Sequence, residues 1–132
     1  MIQKIDHMVI TAENIFSTVE FYEKLGFIPK YRGERCELYA GDFKINVHIL
    51  GKELSPHAKN IQTGSGDICF EINGDIEVFQ KEIENKGLQV EEGVVERHGV
   101  RGVMKSIYLR DPDGNLVEFS SYASFISCSF SC

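Results

Sequence analysis

Several features that would define other classes of protein are missing from this 132-residue chain. Basic residues are in the minority, since 14 Lys and Arg stand against 20 Asp and Glu and leave a net charge of −6. This balance argues against a nucleic-acid partner, which selects a basic face. The apolar runs are too short to span a bilayer, and the N-terminal residues form no basic-then-apolar leader. We therefore expect a cytoplasmic protein with no membrane or nucleic-acid partner.

The four cysteines form no CxxC pair and are too sparse for a disulfide scaffold, which favours reduced thiols. Cys128 and Cys132 could pair, but they end a Ser-rich tail, residues 123–132, which is predicted to be disordered or an edge segment. The hydrophobic content of 42% and the charged content of 26% are those of an ordinary globular protein. We therefore expect one domain over residues 1–122.

The same order of predicted strands and helices occurs twice along the chain. A first module, residues 2–50, has the order strand, helix, strand, strand, strand, with Asn14 as the helix N-cap. A polar linker follows at residues 51–66. A second module, residues 67–122, repeats the order, with a long loop predicted at residues 93–103. Two βαβββ modules predict an α+β fold in which the strands curl around a shared metal and substrate cavity, with the helices outside.

Two pairs of potential metal ligands fall at similar places in the two modules. His7 and Asp67 occupy the first strands, and His48 and Glu118 occupy the last strands. Glu118 stands inside an apolar run, where a carboxylate is costly to bury without a partner. Two imidazoles with one or two carboxylates suit a divalent ion such as Fe, Mn, Ni, Zn or Co, and leave positions open for a substrate.

Simpler interpretations stay open for each of these side chains. A histidine in a strand is more often a hydrogen-bonded core or surface residue than a metal ligand. Glu118 could instead pair with Arg97 or Arg110. Asp67 follows a Gly-Ser-Gly run and could cap that loop.

The chain also resembles a known family, the vicinal oxygen chelate superfamily. This group includes glyoxalase I, the bleomycin-resistance proteins, the fosfomycin-resistance thiol transferases and the extradiol dioxygenases. The segments that carry the resemblance are IDHMVI, FYEKLGF, INVHILGKELSPHA, GSGDICFEI, EEGVVERHG and SIYLRDPDGNLVEFSSY. Within the superfamily, the chain looks most similar to the small proteins called glyoxalase domain-containing protein 5.

The resemblance implies paired βαβββ modules, frequently in a homodimer, and a divalent metal held by the first and last strands. Carried over to this sequence, the implied ligands are His7, His48 and Glu118, with Asp67 in the fourth place. Glyoxalase I and the dioxygenases usually have His in the place of Asp67, and Glu or Gln is common in the place of His48. The ligand types are therefore partly exchanged between positions.

We expect a metal-dependent enzyme of the lyase, isomerase or dioxygenase type that acts on a small oxygen-rich molecule. Glu118 could also move a proton once a substrate displaces it, and His98 is a second acid–base candidate. Arg97, Arg101 and Tyr108 could hold an anionic substrate, whereas the alternative for the two arginines is a solvated loop position. The competing prediction is a small-molecule sequestering protein of the bleomycin-resistance type, metal-free or metal-binding. A third is a metal-binding relic with a regulatory role.

Overall fold

The structure is a computed structural model and describes residues 1–122, so the tail with Cys128 and Cys132 lies outside the described residues. The described residues form two compact units: residues 1–66 with 110–116, and residues 67–109 with 117–122. The elements in chain order are β1 His7–Ala12, α1 Ile15–Lys24, β2 Ile28–Arg32, β3 Arg35–Ala40, β4 Phe43–Ile49, β5 Asp67–Glu71, α2 Ile76–Asn85, β6 Glu92–Gly99, β7 Gly102–Arg110 and β8 Leu116–Tyr122.

The first unit contains a four-stranded sheet in the order β1-β4-β3-β2, in which β1 is parallel to β4 and the other pairs are antiparallel. Asn14 starts α1 as predicted, because its side chain accepts hydrogen bonds from the backbone N–H groups of Phe16 and Ser17. Residues two apart in a strand share a face. The fully buried face contains Leu38, Ile45 and Val47, whereas the alternate positions of β3 and β4 are mostly polar.

The second unit repeats this arrangement with the sheet order β5-β8-β7-β6. Asp75 caps α2 by accepting a hydrogen bond from the backbone N–H of Glu77 at 2.7 Å. Phe79 of α2 packs on Phe119 of β8 with ring centroids 5.0 Å apart, so one face of the sheet is covered by the helix. The predicted α+β fold of two βαβββ modules is confirmed. Neither helix in the described chain has the length and apolar character needed to cross a membrane.

One predicted segment of the second module is wrong. Residues 93–103 were predicted to form a loop, but β6 runs over Glu92–Gly99 and pairs with β7. A bulge interrupts the pairing between Glu92 and Val95. The strand could not be predicted from its charged residues, which are typical of a loop. β6 is an edge strand with a single neighbour, and edge strands tolerate charged side chains. His98 and Arg97 are therefore strand residues and not loop residues.

The ladder hydrogen bonds also correct the alignment of the two modules. The backbone N–H of Lys44 donates to the carbonyl of Asp6, and the backbone N–H of Leu116 donates to the carbonyl of Gly66. The acceptors Asp6 and Gly66 are 60 residues apart and the donors Lys44 and Leu116 are 72 apart. The predicted correspondence of His48 with Glu118 implied a spacing of 70 for the last strands. The two last strands are therefore offset by two residues from the predicted alignment.

Candidate functional site

The face of the second sheet turned away from α2 carries polar side chains of the sheet, among them Glu118 and Ser120. Because Phe119 faces the helix, alternation places Glu118 and Ser120 on the opposite face. That face borders a concavity of about 630 Å3. The lining residues are Cys69, Glu71, Arg97, His98, Gly99, Val100, Met104, Glu118 and Tyr122. This concave face is the candidate site of the second unit.

Glu118 is half-buried on this face and is held by a short hydrogen-bonded row. The Ser120 hydroxyl donates to Glu118 Oε2 at 3.1 Å. Ser120 Oγ also lies 2.6 Å from Ser106 Oγ and 3.2 Å from Cys69 Sγ. Within residues 1–122, Glu118 forms no ion pair, so neither Arg97 nor Arg110 is its counter-ion. A half-buried carboxylate without a cation can accept further bonds from a ligand or a metal ion.

Arg97 and Tyr108 meet on the same face. Arg97 Nε donates to the Tyr108 hydroxyl at 2.9 Å, and the guanidinium lies 5.3 Å from the centroid of the Tyr108 ring. Burial raises the pKa of Tyr108, and the charge of Glu118 adds to this, while the hydrogen bond from Arg97 opposes it. The Tyr108 hydroxyl is therefore protonated at neutral pH and can donate a hydrogen bond.

Arg101 and His98 lie in different surroundings from Arg97. Arg101 Nη2 contacts Glu71 Oε2 at 2.7 Å, and its guanidinium lies 4.2 Å from the centroid of the Tyr122 ring. Arg101 thus has its own counter-ion and stacking partner. His98 is exposed on β6 at the edge of the concavity.

The two predicted metal-ligand histidines of the first unit, His7 and His48, lie far apart along neighbouring strands. His7 is exposed at the start of β1, with Nδ1 2.7 Å from Asp6 Oδ1. His48 is buried and stands in register with Thr11, four residues further along β1. Four residues of strand correspond to about 13 Å, so the two imidazoles are not neighbours within this unit.

No three His, Cys, Asp or Glu side chains gather in the described part of the chain in a way that could hold a metal ion. The first unit carries His7 and His48, and the second carries Asp67 and Glu118. Neither unit by itself therefore presents a complete set of ligands.

Burial lowers the pKa of His48, and the positive charge of Arg35 adds to this effect. The neutral imidazole is the form that binds metals and accepts hydrogen bonds. His48 borders a pocket of about 180 Å3 that the segment after β4 helps to close, with Glu53 and His57 also in its lining.

Asn46 is a residue that the sequence reasoning missed. With the corrected alignment, Asn46 corresponds to Glu118, and His48 corresponds to Ser120. Asn46 is 8% exposed, and its Oδ1 atom is buried with no hydrogen-bond partner among residues 1–122. Its position in the sequence could have identified it, because Asn46 lies two residues before His48 and residues two apart in a strand share a face.

Glu37 is a second residue that the sequence did not reveal, and it is buried on this polar face. It accepts hydrogen bonds from Arg32 Nε at 2.8 Å, from the Tyr39 hydroxyl at 2.7 Å and from Lys44 Nζ at 2.9 Å. These bonds, that of Arg32 first, lower the pKa of Glu37 to about 2. The single carboxylate of Glu37 therefore forms ion pairs with two cations, Arg32 and Lys44.

The DPDGN turn between β7 and β8 has a structural role. Asp111 is 4% exposed and accepts hydrogen bonds from the Tyr22 hydroxyl at 2.8 Å and from the backbone N–H groups of Asp113 and Asn115. Asn115 Nδ2 donates to the same carboxylate at 2.7 Å. Asp113 in turn accepts a hydrogen bond from Thr18 of α1. The most distinctive motif of the sequence thus holds the first unit together.

Residues 4–119 match the model of the Glyoxalase/Bleomycin resistance protein/Dioxygenase superfamily. Together with the two βαβββ units, this match shows that the chain belongs to that superfamily, and the predicted family is confirmed.

Individual relatives are similar over most of the chain. The glyoxalase domain-containing protein RDO1 of Mycosarcoma maydis is 44% identical over 92% of this chain and 69% of its own length. Virulence protein STM3117 of Salmonella typhimurium is 43% identical over 92% of this chain and 86% of its own length. The crystal structure of that protein covers 93% of this chain and 99% of its own chain with a TM-score of 0.89. Metallothiol transferase FosB of Shouchella clausii is 30% identical over 89% of this chain and 80% of its own length.

Proposed function

We propose that the protein is a divalent-metal-dependent enzyme that acts on a small oxygen-rich substrate. The observation that carries the proposal is Glu118, a half-buried carboxylate that faces a concavity of about 630 Å3 and forms no ion pair with any cation of residues 1–122. The superfamily supports the proposal, because its members commonly use divalent metals. The proposal is also supported by the name of a relative at 30% identity, the metallothiol transferase FosB of Shouchella clausii.

The proposed ligands are His7, His48 and Glu118, with Asp67 as the fourth. Their chemistry fits a first-row divalent ion, since imidazole and carboxylate are its usual ligands in proteins. When bound, such an ion would supply stabilisation of the negative charge that develops on a substrate oxygen. His7 and His48 belong to the first unit, and Asp67 and Glu118 belong to the second.

The residues around Glu118 would position the substrate. Arg97 is already oriented by its hydrogen bond to Tyr108, so its guanidinium loses little further freedom on binding a substrate oxygen. The Tyr108 hydroxyl would donate a hydrogen bond to a neighbouring oxygen. Glu118 would accept a proton from the substrate if the substrate displaces it from the ion.

The experiment that tests the proposal is elemental analysis of protein purified without an affinity tag or chelator. The Glu118→Gln variant is compared with Glu96→Gln, which changes an exposed glutamate of β6. We expect about one metal per chain in the wild type and in Glu96→Gln. We expect affinity to fall by about 10- to 100-fold or more in Glu118→Gln, because second-sphere changes alone cost this much.

Other results of this experiment would contradict the assignment of Glu118 or favour a different function. Metal at equal levels in the wild type and in Glu118→Gln would contradict the assignment of Glu118. Absence of metal from all three proteins, even after incubation with Fe, Mn, Ni, Zn and Co, would favour the small-molecule sequestering protein. Where metal is found, iron or manganese would favour a dioxygenase, and nickel or zinc would favour an isomerase.

A further inference from the structure

A second pocket of about 170 Å3 lies in the first unit at the end of the β2–β3 hairpin. Its lining is strongly cationic, although the chain as a whole has a net charge of −6. The residues that border it are Arg32, Glu34, Arg35, His48, Ile49, Lys52 and Leu54. Neither the proposed metal ligands nor the concave face of the second sheet explains this concentration of positive charge.

Arg35 is the unusual member of the group. It is half-buried, and its side chain has neither a hydrogen bond nor an ion pair within residues 1–122. It stands directly opposite Arg32 across the hairpin. Like charges in directly opposite positions destabilise a sheet. Arg35 and the buried His48 both line this pocket.

The carboxylates near the pocket do not cancel its charge. Glu37 contacts Arg32 at 2.8 Å and Lys44 at 2.9 Å, so one negative charge is divided between two cations. Glu34 pairs with Lys52 at 3.2 Å, but the two side chains are 70% and 60% exposed, and such pairs are weak. The charge of Arg35 is therefore not offset. A like-charge arrangement of this kind violates a local rule of sheet stability, and such violations concentrate at functional sites.

We propose that this pocket binds the oxyanion group, phosphate or carboxylate, of a small molecule. Two guanidinium groups supply forked donors that suit either anion, and Lys52 adds a point charge. Ile49 and Leu54 give the ligand an apolar surface next to its charged group. The pocket is smaller than the roughly 300–1,000 Å3 clefts that enclose drug-sized ligands, so it fits a charged end group and not a whole molecule.

This inference deepens the proposed function, since it names an anionic group on the substrate. It rests on that proposal only in identifying the ligand as the substrate. Anion binding itself requires no metal, so the two proposals can fail separately.

The test is calorimetric titration of the metal-free protein with inorganic phosphate and, separately, with malonate, at constant ionic strength. Arg35→Gln removes the charge, Arg35→Lys keeps it without the fork, and Lys81→Gln removes an exposed charge of α2 outside the pocket. We expect saturable binding to the wild type, weakened about tenfold or more in Arg35→Gln. Arg35→Lys should retain part of the affinity, and Lys81→Gln should stay within about twofold of the wild type.

Thermal unfolding of the same variants gives a second readout. Arg35→Gln should melt at or above the wild-type temperature, because it removes the repulsion with Arg32. A stable variant that has lost anion affinity would support a binding role for Arg35. Preference for phosphate or for malonate would identify the kind of oxyanion. Absence of saturable binding of both anions to the wild type, or equal weakening in Arg35→Gln and Lys81→Gln, would overturn the proposal.

Discussion

The hydrogen bond between Tyr22 and Asp111 gives a prediction whose size can be worked from the structure. Tyr22 is 1% exposed, and its hydroxyl donates to Asp111 Oδ2 at 2.8 Å. Burial beside this carboxylate raises the pKa of Tyr22 far above its usual range, so the donor is always protonated. Tyr22→Phe removes one hydroxyl and leaves the ring packing intact. A hydrogen bond to a charged group contributes about 1.5–3 kcal/mol, so we expect a loss near 2 kcal/mol.

The assay is urea unfolding followed by far-UV circular dichroism, with linear extrapolation to water. Tyr31→Phe is the matched control, because that ring is 49% exposed, and its change should stay within about 0.5 kcal/mol. Asp111→Ala should cost more than Tyr22→Phe, since it leaves the buried donors of Tyr22 and Asn115 without an acceptor.

A double-mutant cycle decides whether the two residues act through this bond. In the Asp111→Ala background, Tyr22→Phe should cost no more than about 0.5 kcal/mol, because the acceptor is already gone. The reasoning would be refuted by a loss below about 0.5 kcal/mol for Tyr22→Phe alone. It would also be refuted by the same loss in both backgrounds, which would indicate ring packing and not the hydrogen bond.

Two further predictions concern the first unit. Glu37→Gln should cost about 1–3 kcal/mol at neutral pH. The folded pKa of about 2 lies below the unfolded value, so the stabilisation by Glu37 is present above about pH 4.5. The difference between wild type and variant should therefore shrink as the pH falls from about 4.5 towards 2, and a constant difference in urea titrations would contradict the assignment. Gly64 has φ +77°, and a Cβ there would overlap the carbonyl oxygen of Asp113, whereas Gly51 has φ +85° and open space. Gly64→Ala should therefore lower the melting temperature clearly more than Gly51→Ala, for which we expect about 1–2 kcal/mol, and equal effects would show that the loop moves aside.

The sequence predicted the regular elements where local signals were strong. Asn14 begins α1 as expected, because a short side-chain oxygen directly before an apolar periodic run is typical of a helix N-cap. The βαβββ repeat could likewise be read from the chain. β6 could not, because its charged residues resemble a loop and its pairing with β7 depends on a tertiary neighbour.

The candidate site could be predicted only in part. Glu118 was identified from its apolar neighbours, and the structure adds the Ser120 bond and the open concavity around it. Asn46 could not be assigned, because counting residues placed the last strands two positions out of register. Glu37 was missed because the cations that neutralise it come from neighbouring strands of the sheet. Ligand sharing among His7, His48, Asp67 and Glu118 stays a prediction.

The DPDGN turn has a consequence for how this chain could be divided. Residues 110–116 complete the first unit, although they come after most of the second in the sequence. A fragment ending at Gly66 would therefore keep the buried hydroxyl of Tyr22 but lose its acceptor, Asp111. The two repeats are alike in order of elements, yet the first unit is not a continuous piece of chain. A split-protein experiment that cuts between them would place the Tyr22 hydroxyl and its Asp111 acceptor on different fragments, whereas a circular permutation at the same point would keep both in one chain.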